Sequence, residues 1–179
     1  HGINPNLRKQ LPYDPVRDFS GVSLIASAPL LVVVHPSLPT TSVKQLVALA
    51  KARPGAINFA SNGTGGSSHL AGELFANMAG IKVTHVPYKG GGPNVIALLG
   101  GEIQVTVASI PASLGHLQAG RVKALGLTSA RRSRTLPEVP TIAEAGVPGY
   151  EALNWYGMLA PAGVPNPIVA KLNKQSNDI

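Results

Sequence analysis

The chain has 179 residues, of which 44% are hydrophobic, and this is enough for one domain with a buried core. It contains no Cys, which excludes disulfides, thiolate metal sites and cysteine nucleophiles, and it has no apolar run of about 18 residues that could span a membrane. Its formal net charge is +7, with 15 Lys and Arg against 8 Asp and Glu, which favours an anionic partner.

Strand-like and helix-like segments alternate along the chain. A buried strand is predicted at residues 30–35, and Ser42 then has the position of a helix N-cap. The segments that follow are, in chain order, helix "TSVKQLVALAKARPG", strand "INFAS", helix "SSHLAGELFANMAG", strand "KVTHVPY", helix "GPNVIALLGG", strand "IQVTVAS", helix "PASLGHLQAG", strand "VKALGLTS", strand "EALNWYGMLAPAG" and helix "NPIVAKLNKQSNDI". In the second of these helices, helical spacing predicts a buried face made of Leu70, Leu74, Phe75 and Met78.

This alternation predicts an α/β fold with a mostly parallel sheet and helices on both faces. In such sheets, ligands bind at the carboxyl ends of the strands. Three Gly-rich or hydroxyl-bearing junctions follow predicted strands, namely Ser61–Ser68, Tyr88–Gly92 and Ser109. We therefore expect recognition to take place at this one edge of the sheet.

Known nucleotide-binding motifs do not fit the first junction, "NFASNGTGGSSHLAGELF". A dinucleotide fingerprint needs G-x-G-x-x-G and an acid about 20 residues later. Ser68 stands where the third Gly would be, and the next strand ends in "HVPYK" without a carboxylate. The Gly-Lys-Ser/Thr of a phosphate-binding Walker loop occurs nowhere, so no nucleotide cofactor is predicted.

A catalytic or metal site is not predicted either. Ser67, Ser68 and His69 are neighbours on a helix and point in different directions, and the G-x-S-x-G elbow is absent. Glu73 is the only acid near the loop, and one carboxylate does not make an acid–base pair. No pair of histidines has the spacing of metal ligands.

The remaining interpretation of the first junction is capture of an anion. The first turn of a helix has backbone N–H groups without partners and a partial positive charge, which suit a carboxylate. The candidate donors and close-approach glycines are Ser61, Asn62, Gly63, Thr64, Gly65, Gly66, Ser67 and Ser68. This stretch alone fits an ordinary helix with a flexible entry loop equally well.

The second junction, "VPYKGGGPNVIALLGG", repeats the arrangement. A strand leads into a tight loop and then into a helix start with Pro93 in its first turn. The candidate binding residues in this loop are Tyr88, Lys89, Gly90 and Gly91. Two helix N-termini at one sheet edge favour a shared anion site over two unrelated helix caps.

Long stretches of the sequence resemble one protein family. The runs "LPYDPVRDFSGVSLIASAPLLVVVHPSLP", "NGTGGSSHLAGELF", "VPYKGGGPNVIALLGG" and "LTSARRSRTLPEVPTIAEAGVPGYEALNWYGMLAPAGVP" look like the Bug-type solute-binding proteins, also called tripartite tricarboxylate transporter receptors. The resemblance implies a periplasmic receptor, not an enzyme, with two α/β lobes of the type II periplasmic-binding-protein plan. It also implies that a small carboxylated solute is captured and delivered to a membrane permease.

The resemblance covers the second lobe of such a receptor. Nothing matches the family's signal peptide or its first lobe, and the family's C-terminal helices extend beyond "LNKQSNDI". The expected organisation is a hinge-flanking segment at residues 1–19, a ligand-binding lobe at residues 20–165 and the start of a helix at residues 166–179. The family's second-lobe contacts correspond to residues 61–68 and 88–91, and the edge argument adds Ser109. Trp155 and Tyr156 fit core or hinge packing as well as a ligand wall.

A second class of function stays open from the residues alone. Basic residues cluster in "GRVKALGLTSARRSRTLPE", and effector domains of some transcription regulators share a two-lobed α/β plan. Against a nucleic-acid partner, aromatic residues make up only 4% of the chain and no helix-turn-helix is present. We therefore expect no nucleic-acid partner, and the salt dependence of binding to random DNA distinguishes the two classes.

Overall fold

The computed structural model describes residues 4–7 and 9–178. The strands are β1 Phe19–Val34, β2 Asn58–Ser61, β3 Thr84–Pro87, β4 Val105–Ser109, β5 Lys123–Leu127 and β6 Leu153–Pro161. The helices are α1 Asn4–Leu7, α2 Val43–Ala52, α3 Ser67–Ala79, α4 Gly91–Leu99, α5 Ile110–Gln118 and α6 Asn166–Asn177. The predicted α/β fold is confirmed, and β1 is much longer than the strand predicted at residues 30–35.

No helix in the described parts of the chain combines the length and the apolar character needed to cross a lipid bilayer.

The chain divides into two compact units, and the larger one comprises residues 28–154. The smaller unit combines the described residues before 28 with residues 155–178. In this smaller unit the Asn173 side chain donates a hydrogen bond of 2.6 Å to the Val22 carbonyl, which ties α6 to β1. The division predicted from the sequence, at residues 19 and 165, stays a prediction.

The sheet of the larger unit has the strand order β3-β2-β4-β1-β5. Strand β2 is parallel to β3 and to β4, whereas β1 is antiparallel to both of its neighbours. Four of these five strands therefore run in one direction and β1 runs against them. Leu30, two residues after β1 enters this unit, pairs with Ser109 at the end of β4.

The buried half of β1 supplies both halves of the core. Leu30, Val32 and Val34 pack with residues of α2 and α3 in one cluster. Leu31 and Val33 pack with residues of α4 and α5 in a second cluster. Successive side chains of a strand point to opposite faces of the sheet, so an uninterrupted apolar run requires cover on both faces. The predicted helices on both faces of the sheet are confirmed.

The buried face of α3 differs from the predicted one. Leu74 and Met78 are exposed by 38% and 39%. The buried residues are mostly small: Ser68, Ala71, Gly72, Phe75 and Ala76. A Cβ on Gly72 would lie only 1.9 Å from Cζ of Phe59 in β2. The backbone of α3 therefore approaches this ring so closely that only glycine fits at position 72. Apolar spacing missed this close contact because the residue that makes it has no side chain.

We predict that Gly72→Ala lowers the free energy of unfolding by about 1–3 kcal/mol, because the Phe59 ring would have to move within a packed core. Urea denaturation measures the change. Gly115→Ala is the matched control, because Gly115 lies in α5 with open space around its Cα, and it should raise stability by about 0.5–1 kcal/mol. Destabilisation of the same size in both variants would contradict the close-packing explanation.

Candidate functional site

Three helices begin at one edge of the sheet. Strands β2, β3 and β4 run in the same direction, and α3, α4 and α5 follow them. None of these three helices has a side-chain hydrogen bond at its N-cap. In contrast, α2 follows the far end of β1 and is capped by Ser42, which accepts a hydrogen bond of 3.3 Å from the Gln45 N–H. The edge therefore collects three helix N-termini, each with free N–H donors and a partial positive charge.

The loop between β2 and α3 is held in shape by its own hydrogen bonds. The Asn62 N–H donates to Ser68 Oγ at 2.8 Å, and the Gly63 N–H donates to Ser61 Oγ at 3.2 Å. Both serine side chains are fully buried. Gly65 has φ +81°, a conformation that favours glycine. These hydrogen bonds and the glycine conformation give the loop a defined shape.

The hydrogen bonds separate the predicted residues of this loop into two groups. The hydroxyls of Ser61 and Ser68 are used inside the loop. Thr64 is exposed and Ser67 half-buried, and neither hydroxyl has a partner within the described parts of the chain. The N–H groups of Thr64, Ser67 and Ser68 are also without partners there, as expected for the residues around a helix start. These groups are the ones available to a ligand.

The loop between β3 and α4 contacts the first loop. The Tyr88 N–H donates to the Ser61 carbonyl at 3.0 Å, and the Gly90 N–H donates to the Asn62 carbonyl at 3.2 Å. A Cβ on Gly91 would lie 3.8 Å from the Asn62 amide group. The two predicted loops thus form one continuous surface with the first turns of α3 and α4.

Three predicted residues contribute differently to this surface. The half-buried Tyr88 ring packs against the second core cluster, and burial together with the nearby Glu102 carboxylate raises the pKa of Tyr88. Lys89 is exposed and has no ion pair with any described residue. Ser109 forms the N-cap of α5 at the same edge, and its hydroxyl has no hydrogen bond within residues 9–178.

A pair of stacked histidines supports the first loop, and the sequence analysis did not predict this role for them. The Gly65 N–H donates to Nδ1 of His69 at 3.1 Å, and the His69 and His85 rings stack at 4.0 Å. His85 Nε2 lies 2.6 Å from Ser61 Oγ. Burial, followed by the neighbouring His69, lowers the pKa of His85. The two imidazoles therefore support the loop through their contacts with the Gly65 N–H and the Ser61 hydroxyl.

The same histidines could form part of a metal site with Glu73, which the sequence analysis also did not predict. One ligand atom from each of the three residues lies within 4.8 Å of the others. His69 Nε2 faces the Glu73 carboxylate at 3.7 Å. To bind a metal through Nε2, His69 would need a proton on Nδ1 and would lose the hydrogen bond from Gly65. The geometry therefore supports loop positioning better than metal binding.

The short contact between Ser61 and His85 does not form a nucleophilic site. A serine nucleophile must be accessible to substrate, and its histidine must be oriented by a third group. Ser61 has no exposed surface, and its hydroxyl accepts from the Gly63 N–H. His85 has no second hydrogen bond with a described residue. The contact positions the loop.

Asn94 is another residue that the sequence analysis missed. It lies in the first turns of α4 with no exposed surface, and its Nδ2 donates to Asn62 Oδ1 at 2.9 Å. The sequence signal was a polar residue next to the apolar run "VIALL", in a helix that needs a buried face. This contact adds a third connection between the two loops.

Comparisons with known proteins identify the family. The model of the family described as "Tripartite tricarboxylate transporter family receptor" matches residues 2–178. Protein BugT of Bordetella pertussis is 39% identical over 98% of this chain and 54% of its own length. The structure "R. palustris Rpa4515 with adipate" has a TM-score of 0.86 and 42% identity, over 94% of this chain and 56% of that one.

A third relative has the same fold at lower identity. The structure of MatC from Rhodopseudomonas palustris with bound malate has a TM-score of 0.86 and 31% identity, over 98% of this chain and 60% of that one. The chain spans about half the length of the curated relatives it matches.

We predict that stability falls as the pH drops through 6.5, because the pKa of His85 is lower in the folded protein than the 6.5 of an ordinary histidine. Below that pH the unfolded chain binds the proton more readily, so protonation favours unfolding. Urea denaturation at neutral pH and below 6.5 measures the effect. His85→Gln, which can keep a hydrogen bond to Ser61 without titrating, should make the slope shallower; an unchanged slope would contradict the assignment.

Proposed function

Because the chain belongs to the tripartite tricarboxylate transporter receptor family, we propose that it captures a small carboxylate at the sheet edge formed by residues 61–68, residues 88–91 and Ser109. The observation that carries this proposal is the convergence of three helix N-termini without side-chain caps. Each terminus has roughly half a positive charge and N–H groups aimed outward, which is the arrangement that anions favour.

The donors available at this edge suit reversible binding. Apart from the exposed Lys89, they are backbone N–H groups, the Thr64 and Ser67 hydroxyls and the Asn62 amide, and these groups have no full charge. A carboxylate held by such donors keeps several charge-assisted hydrogen bonds without a buried ion pair. Capture and release are both required of a transport receptor, and uncharged donors allow both.

The solved relatives support a carboxylate as the ligand. The Rpa4515 structure contains adipate and the MatC structure contains malate, and both compounds are dicarboxylates. One carboxylate of such a ligand would lie on the edge described above. The other would reach residues outside the two loops.

We propose further that the complete receptor contains another lobe, since the chain covers about half of its relatives. In this proposal, residues 20–165 form the second lobe, while residues 1–19 and 166–179 flank the hinge. The receptor would work in the periplasm and deliver its solute to a membrane permease. Relatives whose structures are described as a periplasmic transporter and as the periplasmic binding protein BugD support the location.

The proposal does not include catalysis. Ser61, the hydroxyl with a histidine partner, is fully buried, and Ser67 has no base beside it among the described residues. Turnover of generic esters or nicotinamide cofactors that disappears in Ser67→Ala would overturn this part of the proposal.

The complete gene product should be stabilised by one or more small carboxylates in a panel that includes adipate and malate. A ligand at 100 times its dissociation constant adds about 2.7 kcal/mol to the free energy of unfolding, which raises the melting temperature measurably. Random double-stranded DNA is the comparison. Failure of every carboxylate, together with DNA binding that weakens steeply with salt, would support a nucleic-acid effector domain instead.

We predict that Gly65→Val abolishes measurable carboxylate binding, because a β-branched residue disfavours φ +81° and its side chain obstructs the loop. Ser67→Ala should weaken binding by about 1.5 kcal/mol, since one hydrogen bond to a charged group is lost. Calorimetry on the complete gene product measures both.

Ser42→Ala is the matched control for these variants. It removes the cap of α2 and should lower stability by about 1 kcal/mol while leaving the affinity for carboxylates unchanged. Wild-type affinity in folded Gly65→Val and Ser67→Ala would show that the loop is a helix start and nothing more.

A further inference from the structure

Asn94 is a buried polar residue, and its hydrogen bonds within the protein do not fully offset the free energy needed to remove its amide from water. It has no exposed surface, and its neighbours in α4 include the buried Val95, Ala97 and Leu98. Its Nδ2 donates to Asn62 Oδ1, but its own Oδ1 has no hydrogen-bond partner among the described residues. A buried carbonyl without a partner destabilises the folded state, so an apolar residue here would be expected to be at least as stable. The amide therefore calls for an explanation other than stability.

The side-chain amides of Asn94 and Asn62 could in principle hydrogen-bond in either direction, and burial decides between the two. If Asn94 were the acceptor, its NH2 group would be buried without a partner. Buried N–H donors without partners are rarer than buried carbonyls without partners. Asn94 is therefore the donor and Asn62 Oδ1 is the acceptor, at 2.9 Å.

This direction leaves one polar group of Asn62 available. Its N–H donates to Ser68 Oγ, its carbonyl accepts from the Gly90 N–H, and its Oδ1 accepts from Asn94. Nδ2 has no partner within the parts of the chain that the structure describes. Asn62 is nevertheless an exposed residue. An exposed asparagine normally rotates and presents either its carbonyl or its NH2 group, whereas this one is fixed with NH2 outward.

We infer that Asn94 is a positioning residue that holds the Asn62 amide with its NH2 group toward the ligand, so that the site selects a carboxylate over an amide. The inference rests on the proposed function, because it needs a ligand at this edge. A carboxylate accepts hydrogen bonds only, whereas an amide also brings N–H donors that an outward Nδ2 would oppose. Specificity then comes from a residue that does not touch the ligand.

The test compares adipate with adipamide, its diamide of the same length, by calorimetry and competition on the complete gene product. In Asn94→Leu the Asn62 amide is free to turn, and we expect adipate to bind about two- to tenfold more weakly, since the ligand must now order that side chain. The preference for adipate over adipamide should shrink, because a turned Asn62 can accept from the diamide. The melting temperature should stay the same or rise.

Two further variants extend the comparison. Asn94→Ala removes the same hydrogen bond with a smaller side chain and serves if the leucine variant does not fold. Asn62→Ala removes the donor itself and should weaken adipate binding by about ten- to a hundredfold.

Thr40→Val is the matched control. Thr40 is also buried, with 1% of its surface exposed, and its Oγ1 also has no hydrogen-bond partner in the described parts of the chain. It lies just before α2, away from the three helix starts. Its replacement should affect stability in the same direction as the Asn94 variants and leave both affinities unchanged.

The outcomes separate the inference from the proposed function. A wild-type protein that binds neither adipate nor malate overturns the proposed function, and the role of Asn94 with it. A wild-type protein that binds adipate, with an unchanged preference over adipamide in a folded Asn94 variant, overturns the role of Asn94 alone. Loss of stability and affinity together, at a constant preference, would show that Asn94 only supports the fold and would also overturn its role in selection.

Discussion

Much of this structure depends on the common direction of β2, β3 and β4. Each of these strands ends at the same edge and is followed by a helix, so the unpaired N–H groups of three first turns lie close together. A protein that needed only stability would cap each helix with a side chain, as Ser42 caps α2. Instead, the hydroxyls of Ser61 and Ser68 are buried beneath the loop, where they fix its backbone. The polar side chains at this edge shape the loop and leave the helix termini open.

The layer beneath the loop consists of polar groups that a catalytic interpretation could also use. His85 contacts both Ser61 and His69, and Glu73 lies beside His69. Burial separates the two interpretations, because the serine is inaccessible and the Gly65 N–H already occupies Nδ1 of His69. Asn94 supports the loop from the side of α4 in the same way. Elements distant in sequence thus hold one short loop in a defined shape.

The sequence predicted the alternation of elements, the α/β fold and the family, and all three are confirmed. It did not predict that β1 runs against its neighbours, because a run such as "LLVVV" indicates burial without giving direction. It misplaced the buried face of α3, because the close contact with Phe59 is made by Gly72, which has no side chain and so adds nothing to the apolar pattern. In the candidate site, the two loops could be found from their glycines and hydroxyls, and their roles as ligand contacts stay predictions. The roles of Asn94 and His85 could not be found, since their partners Asn62 and Ser61 come close only in the folded sheet. His69 contacts Gly65 four residues earlier, but its stacking on His85 also depends on the fold.

The use of backbone donors has a consequence for how such a receptor can diversify. The N–H groups in the first turns of α3, α4 and α5 do not belong to any particular side chain, so most substitutions leave them in place. In the proposed receptor, the anchor for one carboxylate would therefore tolerate mutation, while the surrounding walls could change freely to fit the rest of the molecule. A lineage built on this plan could acquire new solutes through a few wall substitutions, without evolving a new anion-binding motif each time.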